Sequence, residues 1–376
     1  MTRVLFLITG FNYAGAENQI VQLCRGFRAK CYSIALVSMI DPVAYLDDLK
    51  ELEVQIHSLG MAKGIPDPRA IARLRRLIVE FKPDVVHSHL VHANILARIT
   101  RLFVKMPLLI CTAHNINEGG RYRELLYRLT DPLCELTTNV SDKAVHRYID
   151  KRIVPKHKIK FIPNGIDVNQ FEGNAERERK RIDQELGLDS DSFIWFAAGR
   201  IVPEKDYINM ITAFAKMIET YPNSTLLIAG IGPERDEMEQ LCSDKGIQGR
   251  VHFLGIRRDI PQLMNAADAY VMSSKWEGMP IVLLEASASA LPIVATDVGG
   301  NREVVQDNMT GLLVRPGDSD HLCEQMVNMM AFDQDTRKAM GAAGRQFVRE
   351  HYSMGVIVEQ WTQIYGHGAT AREVML

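Results

Sequence analysis

Short apolar runs alternate with segments of helical periodicity from one end of this chain to the other, and that alternation leaves few folds open. Strands fully covered on both faces read as continuous apolar runs, and parallel neighbours need a crossover helix between them. In the first half the runs fall at Arg3–Thr9, Tyr32–Ser38, Val54–Leu59, Asp84–His87, Leu108–Ala113, Leu136–Val140 and Ile159–Ile162. Apolar residues at three- and four-residue spacing predict helices over Ala16–Arg28, Arg69–Phe81, Ala93–Phe103 and Arg121–Cys134. The pattern restarts with runs at Phe193–Ala198, Ser224–Ala229, Val251–Leu254, Ala269–Met272, Ile293–Ala295 and Gly311–Val314. Predicted helices there are Glu204–Thr220, Arg235–Cys242, Pro261–Asn265, Ile281–Ala290, His321–Met330 and Thr336–Glu350. The polar stretch Val168–Asp191 reads as the linker, and a break at Tyr352–Ser353 precedes a last helix over Met354–Tyr365. A chain of 376 residues divides naturally in two. The expected class is α/β, with two Rossmann-like doubly wound domains. The first spans 1–167, to which the closing helix 352–376 is added, and the second 185–351.

No apolar stretch approaches the roughly 20 residues that cross a bilayer. Met1–Gly10 runs straight into a turn without a small-residue cleavage site, so it reads as a buried strand of a cytoplasmic protein. The six cysteines (Cys24, Cys31, Cys111, Cys134, Cys242, Cys323) form no C-x-x-C pair and read as reduced thiols. The net charge of −2 conceals an asymmetry: residues 1–166 carry +9 and residues 167–376 carry −11. Basic groups cluster at Arg69, Arg73, Arg75 and Arg76, at Arg98, Arg101 and Lys105, and at Lys151, Arg152, Lys156, Lys158 and Lys160. Such a half could face an anionic membrane or a lipid pyrophosphate, or be no more than solvated helix faces. No nucleic-acid partner is expected.

In doubly wound sheets ligands bind beyond the carboxyl ends of the strands. After the first strand, Gly10-Phe-Asn-Tyr-Ala-Gly15-Ala-Glu17 lacks the Lys-Ser/Thr of a P-loop and the three glycines of a dinucleotide fingerprint. What remains is a glycine turn able to present N–H groups to an anion. In the second half, Gly199-Arg200-Ile-Val-Pro203-Glu-Lys205-Asp places two cations beside a predicted helix start, a combination suited to a diphosphate. Ser273-Ser-Lys-Trp-Glu277-Gly278-Met279-Pro280-Ile281-Val-Leu-Leu-Glu285 puts one carboxylate in a loop and a second in the following helix, eight residues on. Carboxylates accept paired bonds from vicinal hydroxyls, so the two can hold two sugars of one ligand. Glu285 in an otherwise apolar helix needs partners.

Together with Pro163-Asn-Gly-Ile-Asp167, these motifs resemble, in order and over nearly the whole chain, the retaining glycosyltransferases of glycosyltransferase family 4, with the GT-B fold. The resemblance implies an acceptor-binding first domain and a donor-binding second domain facing a central cleft, with the C-terminal helix crossing back to the first. It implies that Arg200 and Lys205 bind the donor diphosphate, Glu285 the ribose, and Glu277 the transferred sugar, with Gly278, Met279, Pro280 and Ile281 alongside. His114 would lie near that sugar and count with Glu277, Arg200 and Lys205 as catalytic; Gly15 would line the phosphates; Phe253, Leu254 and Arg257 would border the base. The implied reaction moves a hexosyl unit from a nucleotide-sugar, UDP being commonest among relatives, to a saccharide or lipid-linked saccharide, without metal or cofactor. His87, His89 and His92 invite a zinc reading, but no cysteine or carboxylate set completes it, and they read as structural or as lining the acceptor side. Asp318 reads as a helix N-cap. Rival readings are an epimerase of the same fold, a phosphorylase for which no pyridoxal-phosphate lysine stands out, and a non-catalytic subunit of a polysaccharide assembly.

Overall fold

The computed structural model describes residues 1–114 and 119–373, the side chains of 367–373 excepted. Asn115 and the last residues of the predicted closing segment, 374–376, lie outside the described residues. All thirteen predicted strands form, with ends within two residues of expectation: β1 (Arg3–Ile8), β2 (Ser33–Ser38), β3 (Gln55–Ser58), β4 (Val85–His89), β5 (Leu108–Ala113), β6 (Leu136–Asn139), β7 (Ile159–Phe161), β8 (Phe193–Ala198), β9 (Ser224–Ala229), β10 (Val251–Gly255), β11 (Ala269–Met272), β12 (Ile293–Thr296) and β13 (Gly311–Val314). They make two all-parallel sheets, β3-β2-β1-β4-β5-β6-β7 and β10-β9-β8-β11-β12-β13. Each order reverses once, at β1/β4 and at β8/β11, the crevice position of a doubly wound sheet. This is the α/β, two-domain GT-B architecture.

The chain separates into two compact units, residues 1–165 with 354–376, and residues 166–353. The helix Met354–Glu373 thus belongs to the first unit. Its Ile357, Val358, Trp361 and Tyr365 are buried with Phe6 of β1 and Phe27 of the helix Gly15–Ala29. A Cβ on Gly26 would stand 2.3 Å from the Val358 side chain, so this mid-helix glycine lets the two helices close up. Glycine there costs the helix about 1 kcal/mol relative to alanine, which the burial of Trp361 and Tyr365 offsets. In the second unit Trp195, Phe214, Met210, Leu226 and Ile228 centre a core beneath the helix Tyr207–Thr220.

Several expectations need correction. Val168–Asp191 is no open linker: Ala175–Leu186 is a helix capped by the Asn174 side chain and tied to the second unit by Arg179–Asp268 and Arg181–Asp259 pairs. The helix expected over Glu204–Thr220 begins at Tyr207, because Asp206 adopts a left-handed conformation (φ 51°) after a short 3-10 turn Pro203–Lys205. Arg121–Cys134 divides at Pro132 into the helix Arg121–Thr130 and a 3-10 turn. The basic clusters are largely spoken for. Arg69 and Arg73 pair with Asp67, Arg101 with Glu135, and Lys158 with Asp131. Arg98 is wholly buried, bonded to the Tyr127 carbonyl and Thr137.

Candidate active site

The second unit's switch point gathers most of the predicted donor residues. β8 ends at Ala198 and β11 at Met272, and the chain leaves both toward the same edge. Below that edge the Tyr270 hydroxyl donates to the Ala198 carbonyl at 3.2 Å, and the Tyr207 hydroxyl does the same to Gly199 at 3.2 Å. Burial holds both phenols protonated, and Tyr270 also feels the charges of Glu285 and Glu277.

Above this floor, Lys205 and Glu277 form an ion pair with little exposure on either side. Ser274 donates to the same carboxylate oxygen at 2.6 Å, and Ser273 donates to the Lys205 and Asp206 carbonyls at 2.9 Å each. Lys275 pairs with Asp206 at 3.2 Å. The two loops are therefore stitched together by their own side chains, and Glu277 is fixed with a cation on one side. Arg200 is exposed and makes no ion pair or hydrogen bond among the described residues. Its guanidinium is left as an open fork for an anion.

Backbone packing presses on Glu277 from behind. Gly299 (φ 53°) leaves no room for a Cβ, which would stand 1.9 Å from the Glu277 carbonyl oxygen; Gly300 donates its N–H to the Gly278 carbonyl at 2.7 Å. Thr296 bonds the Ser274 carbonyl at 2.7 Å. Gly230 and Gly232 likewise admit the carbonyls of Gly199 and Ile201, at 1.9 Å from where a Cβ would be. The sequence reading missed Ser274, Thr296 and both glycine pairs. Paired glycines directly after β9 and β12 were the available signal.

Met279 and Pro280 are buried, and Pro280 precedes the helix Ile281–Ala288, as expected. Glu285 lies in its second turn. Its carboxylate keeps some open surface, yet makes no hydrogen bond or ion pair among the described residues, and loss of solvation raises it to about 7. A carboxylate left so is a standing cost unless a ligand supplies donors. Phe253 and Leu254 sit half-buried at the end of β10, where Gly230 donates to the Gly255 carbonyl at 2.8 Å. The Arg257 guanidinium is committed to Asp259 and Glu185, so that side chain braces the helix Ala175–Leu186.

Gly15 and His114 belong to the first unit. Gly15 opens its helix, and Glu17 folds back so that the Asn12 N–H donates to it at 3.4 Å. At the ends of β4 and β5, His89 Nδ1 and His114 Nε2 lie 2.9 Å apart. His87 stacks on His89 with ring centroids 4.2 Å apart and is held by the Tyr365 hydroxyl at 2.7 Å and by Thr112 at 2.6 Å. Burial drives the His114 imidazole down to about 4 and His87 to about 3, and it takes His89 well below its usual value. These rings are neutral at neutral pH and act as hydrogen-bonding groups. The expected N-cap is present, with Asp318 accepting from the His321 N–H at 2.9 Å.

Comparison with known proteins agrees with this geometry. The family model described as Glycosyltransferase Family 4 matches residues 13–170, and that described as Glycosyl transferases group 1 matches residues 178–347. The Escherichia coli UDP-Gal:alpha-D-GlcNAc-diphosphoundecaprenol alpha-1,3-galactosyltransferase is 29% identical over 277 residues, 70% of this chain and 71% of that protein. The Bacillus anthracis N-acetyl-alpha-D-glucosaminyl L-malate synthase is 29% identical over 320 residues, 83% of this chain and 82% of that protein. Among solved structures, Anabaena HepE in complex with UDP superimposes with a TM-score of 0.85 at 23% identity, covering 98% of this chain and all of that one, a likeness of fold. With the two models following one another along most of its length, the chain belongs to glycosyltransferase family 4 and is a glycosyltransferase of the GT-B fold.

Proposed function

We propose that this glycosyltransferase takes a UDP-sugar in its second unit and transfers the hexosyl group, with retention of configuration and without a metal ion, to a saccharide carried on a lipid. The carrying observation is Glu285: a desolvated carboxylate without a partner among the described residues, one helical segment beyond a Glu277 already fixed by Lys205 and Ser274. Ribose hydroxyls are the donors Glu285 lacks, and hydroxyls of the transferred sugar fit the remaining acceptor sites of Glu277. Arg200 and Lys205 face the diphosphate between them. As the bond from the sugar carbon to phosphate breaks, the electron pair leaves with the phosphate oxygen, and fixed cations stabilise that charge without reorganising. Two side-chain cations supply the neutralisation a divalent metal would otherwise give. The acceptor oxygen then bonds the same carbon from the same face and passes its proton to the departing phosphate.

The lipid-linked acceptor is supported by the E. coli relative, whose name specifies UDP-Gal and a diphosphoundecaprenol-linked GlcNAc. Calorimetric titration of UDP, GDP and ADP in EDTA tests the donor side, with UDP expected to bind and the others at least tenfold weaker. Absence of binding by all three would remove the transferase assignment of these residues. The anomeric configuration of the product, read by NMR coupling, tests retention.

A further inference from the structure

Trp276 is 58% exposed, the one open aromatic side chain among the described residues of the second unit. It makes no ring contact or hydrogen bond among the described residues, so its indole N–H is left as a donor. The loop that carries it is held on both sides. The Lys275 N–H donates to the Glu204 carbonyl at 2.9 Å, and the Lys275 ammonium pairs with Asp206 at 3.2 Å. Thr296 donates to the Ser274 carbonyl at 2.7 Å, and beyond Trp276 the Gly300 N–H donates to the Gly278 carbonyl at 2.7 Å. Glu277, the next residue, has a side chain only 11% exposed and is fixed by Lys205 and Ser274. A large aromatic side chain is thus presented to solvent from a loop fixed by its own hydrogen bonds, one residue before the carboxylate assigned to the transferred sugar.

We propose that Trp276 is the platform on which the acceptor saccharide packs a pyranose ring, with the indole face against the sugar's C–H groups and the indole N–H donating to one of its hydroxyls. The proposal rests on the assignment of Glu277 to the transferred sugar made above. Neighbouring Cα atoms are about 3.8 Å apart. The acceptor oxygen must come to about 3–3.5 Å from the carbon it attacks. A saccharide reacting with a sugar held by Glu277 therefore comes within reach of the side chain one residue away. A pyranose carries a face of C–H groups rimmed by hydroxyls, and an indole offers the matching surface, an apolar face with one polar edge. An apolar wall beside a few fixed polar groups is how a small-molecule site gains both affinity and orientation, and here Glu277 is the polar group and Trp276 the wall. A partner protein fits less well: one tryptophan contributes at most about 250 Å², against roughly 800 Å² a side in a stable interface.

The chain has three tryptophans, and Trp195 and Trp361 are buried, so iodide quenching of the intrinsic fluorescence reads Trp276. The protein is titrated with the methyl α-glycosides of glucose, galactose, mannose and N-acetylglucosamine, without nucleotide and again with UDP. At least one glycoside should remove most of the iodide quenching. Trp276→Ala should weaken binding of that glycoside, followed by ligand-observed NMR, about tenfold or more. The side chain is on the surface, so melting temperature and UDP affinity should not move. Trp276→Phe should restore part of the loss, and Trp276→Leu, apolar but without a ring face, should not. Protection by none of the glycosides, unchanged glycoside binding in Trp276→Ala, or rescue by leucine equal to that by phenylalanine would each overturn the proposal. So would weaker UDP binding by Trp276→Ala, because the ring would then belong to the nucleotide. The titration without nucleotide is the separate arm: failure of UDP to bind would count against the donor assignment and leave protection of Trp276 by a glycoside standing.

Discussion

Replacing Glu285 by glutamine should make the protein more stable and a poorer binder, and the two effects have different origins. In the unliganded chain burial lifts the carboxyl from 4.5 to about 7. A raised acid pKa means the folded state holds the proton more tightly than the unfolded state. The contribution of this group is therefore most favourable below the unfolded value and declines as pH rises toward 7. Above 7 the accumulated penalty is at most about 3 kcal/mol, a ceiling because Glu285 keeps some open surface. Glutamine has the same shape and cannot ionise. At about pH 8 Glu285→Gln should gain up to about 3 kcal/mol, roughly 5–10 °C in melting temperature, and the gain should shrink toward about pH 5. Binding should move the other way. A carboxylate taking two ribose hydroxyls makes two charged hydrogen bonds, and glutamine keeps one neutral acceptor, a loss of about 2–3 kcal/mol or roughly 30–150-fold in Kd. In wild type the bound state favours the ionised carboxylate, so nucleotide binding should release protons near neutrality and tighten as pH rises through about 7. Scanning calorimetry at the two pH values and titrations in buffers of different ionisation enthalpy read each term. A variant that binds UDP like wild type would refute the ribose contact, and one with no pH-dependent gain in stability would refute the desolvated carboxylate.

Lys205→Met removes the partner of Glu277 and one of two proposed phosphate cations, so turnover should fall about 10²–10³-fold while Lys205→Arg retains part of it, as a steady-state transfer assay would show. Gly299→Ala must push the Glu277 backbone, because its Cβ would stand 1.9 Å from that carbonyl and φ is 53°. Turnover should drop about tenfold or more with the fold retained, and unchanged kinetics would mean Glu277 is not held from behind. Trp361→Ala should cost about 3–5 kcal/mol in denaturant unfolding of the first unit, and an unshifted transition would show that the C-terminal helix is not part of that core.

The central strands were legible because each is an apolar run buried on both faces; Leu108–Ala113 and Phe193–Ala198 are found at the residues expected. The helix Ala175–Leu186 was not, because it buries only Glu178 and Ile182 and depends on pairs with Asp259 and Asp268, about eighty residues away. Arg98 looked like a surface cation because nothing local reveals that Tyr127 and Thr137 enclose it. At the site, Glu277, Glu285, Arg200 and Lys205 stood out by chemistry and spacing. The glycines that make space for Glu277 and Gly199 did not, since their reason is a carbonyl from another loop.

The bond between His87 and Tyr365 joins residues 278 positions apart in sequence. During synthesis the strands β1 to β7 leave the ribosome long before the helix that covers Phe6 and Phe27. At about 5–20 residues per second, the second unit occupies on the order of ten seconds or more of translation. For that interval the apolar surface of Phe6 and Phe27 that this helix covers has no cover of its own, a natural client for a chaperone that shields apolar surface. A ribosome that stops before Met354 releases a finished second unit joined to an unfinished first one, so quality control at the C-terminus acts on the opposite end of the chain.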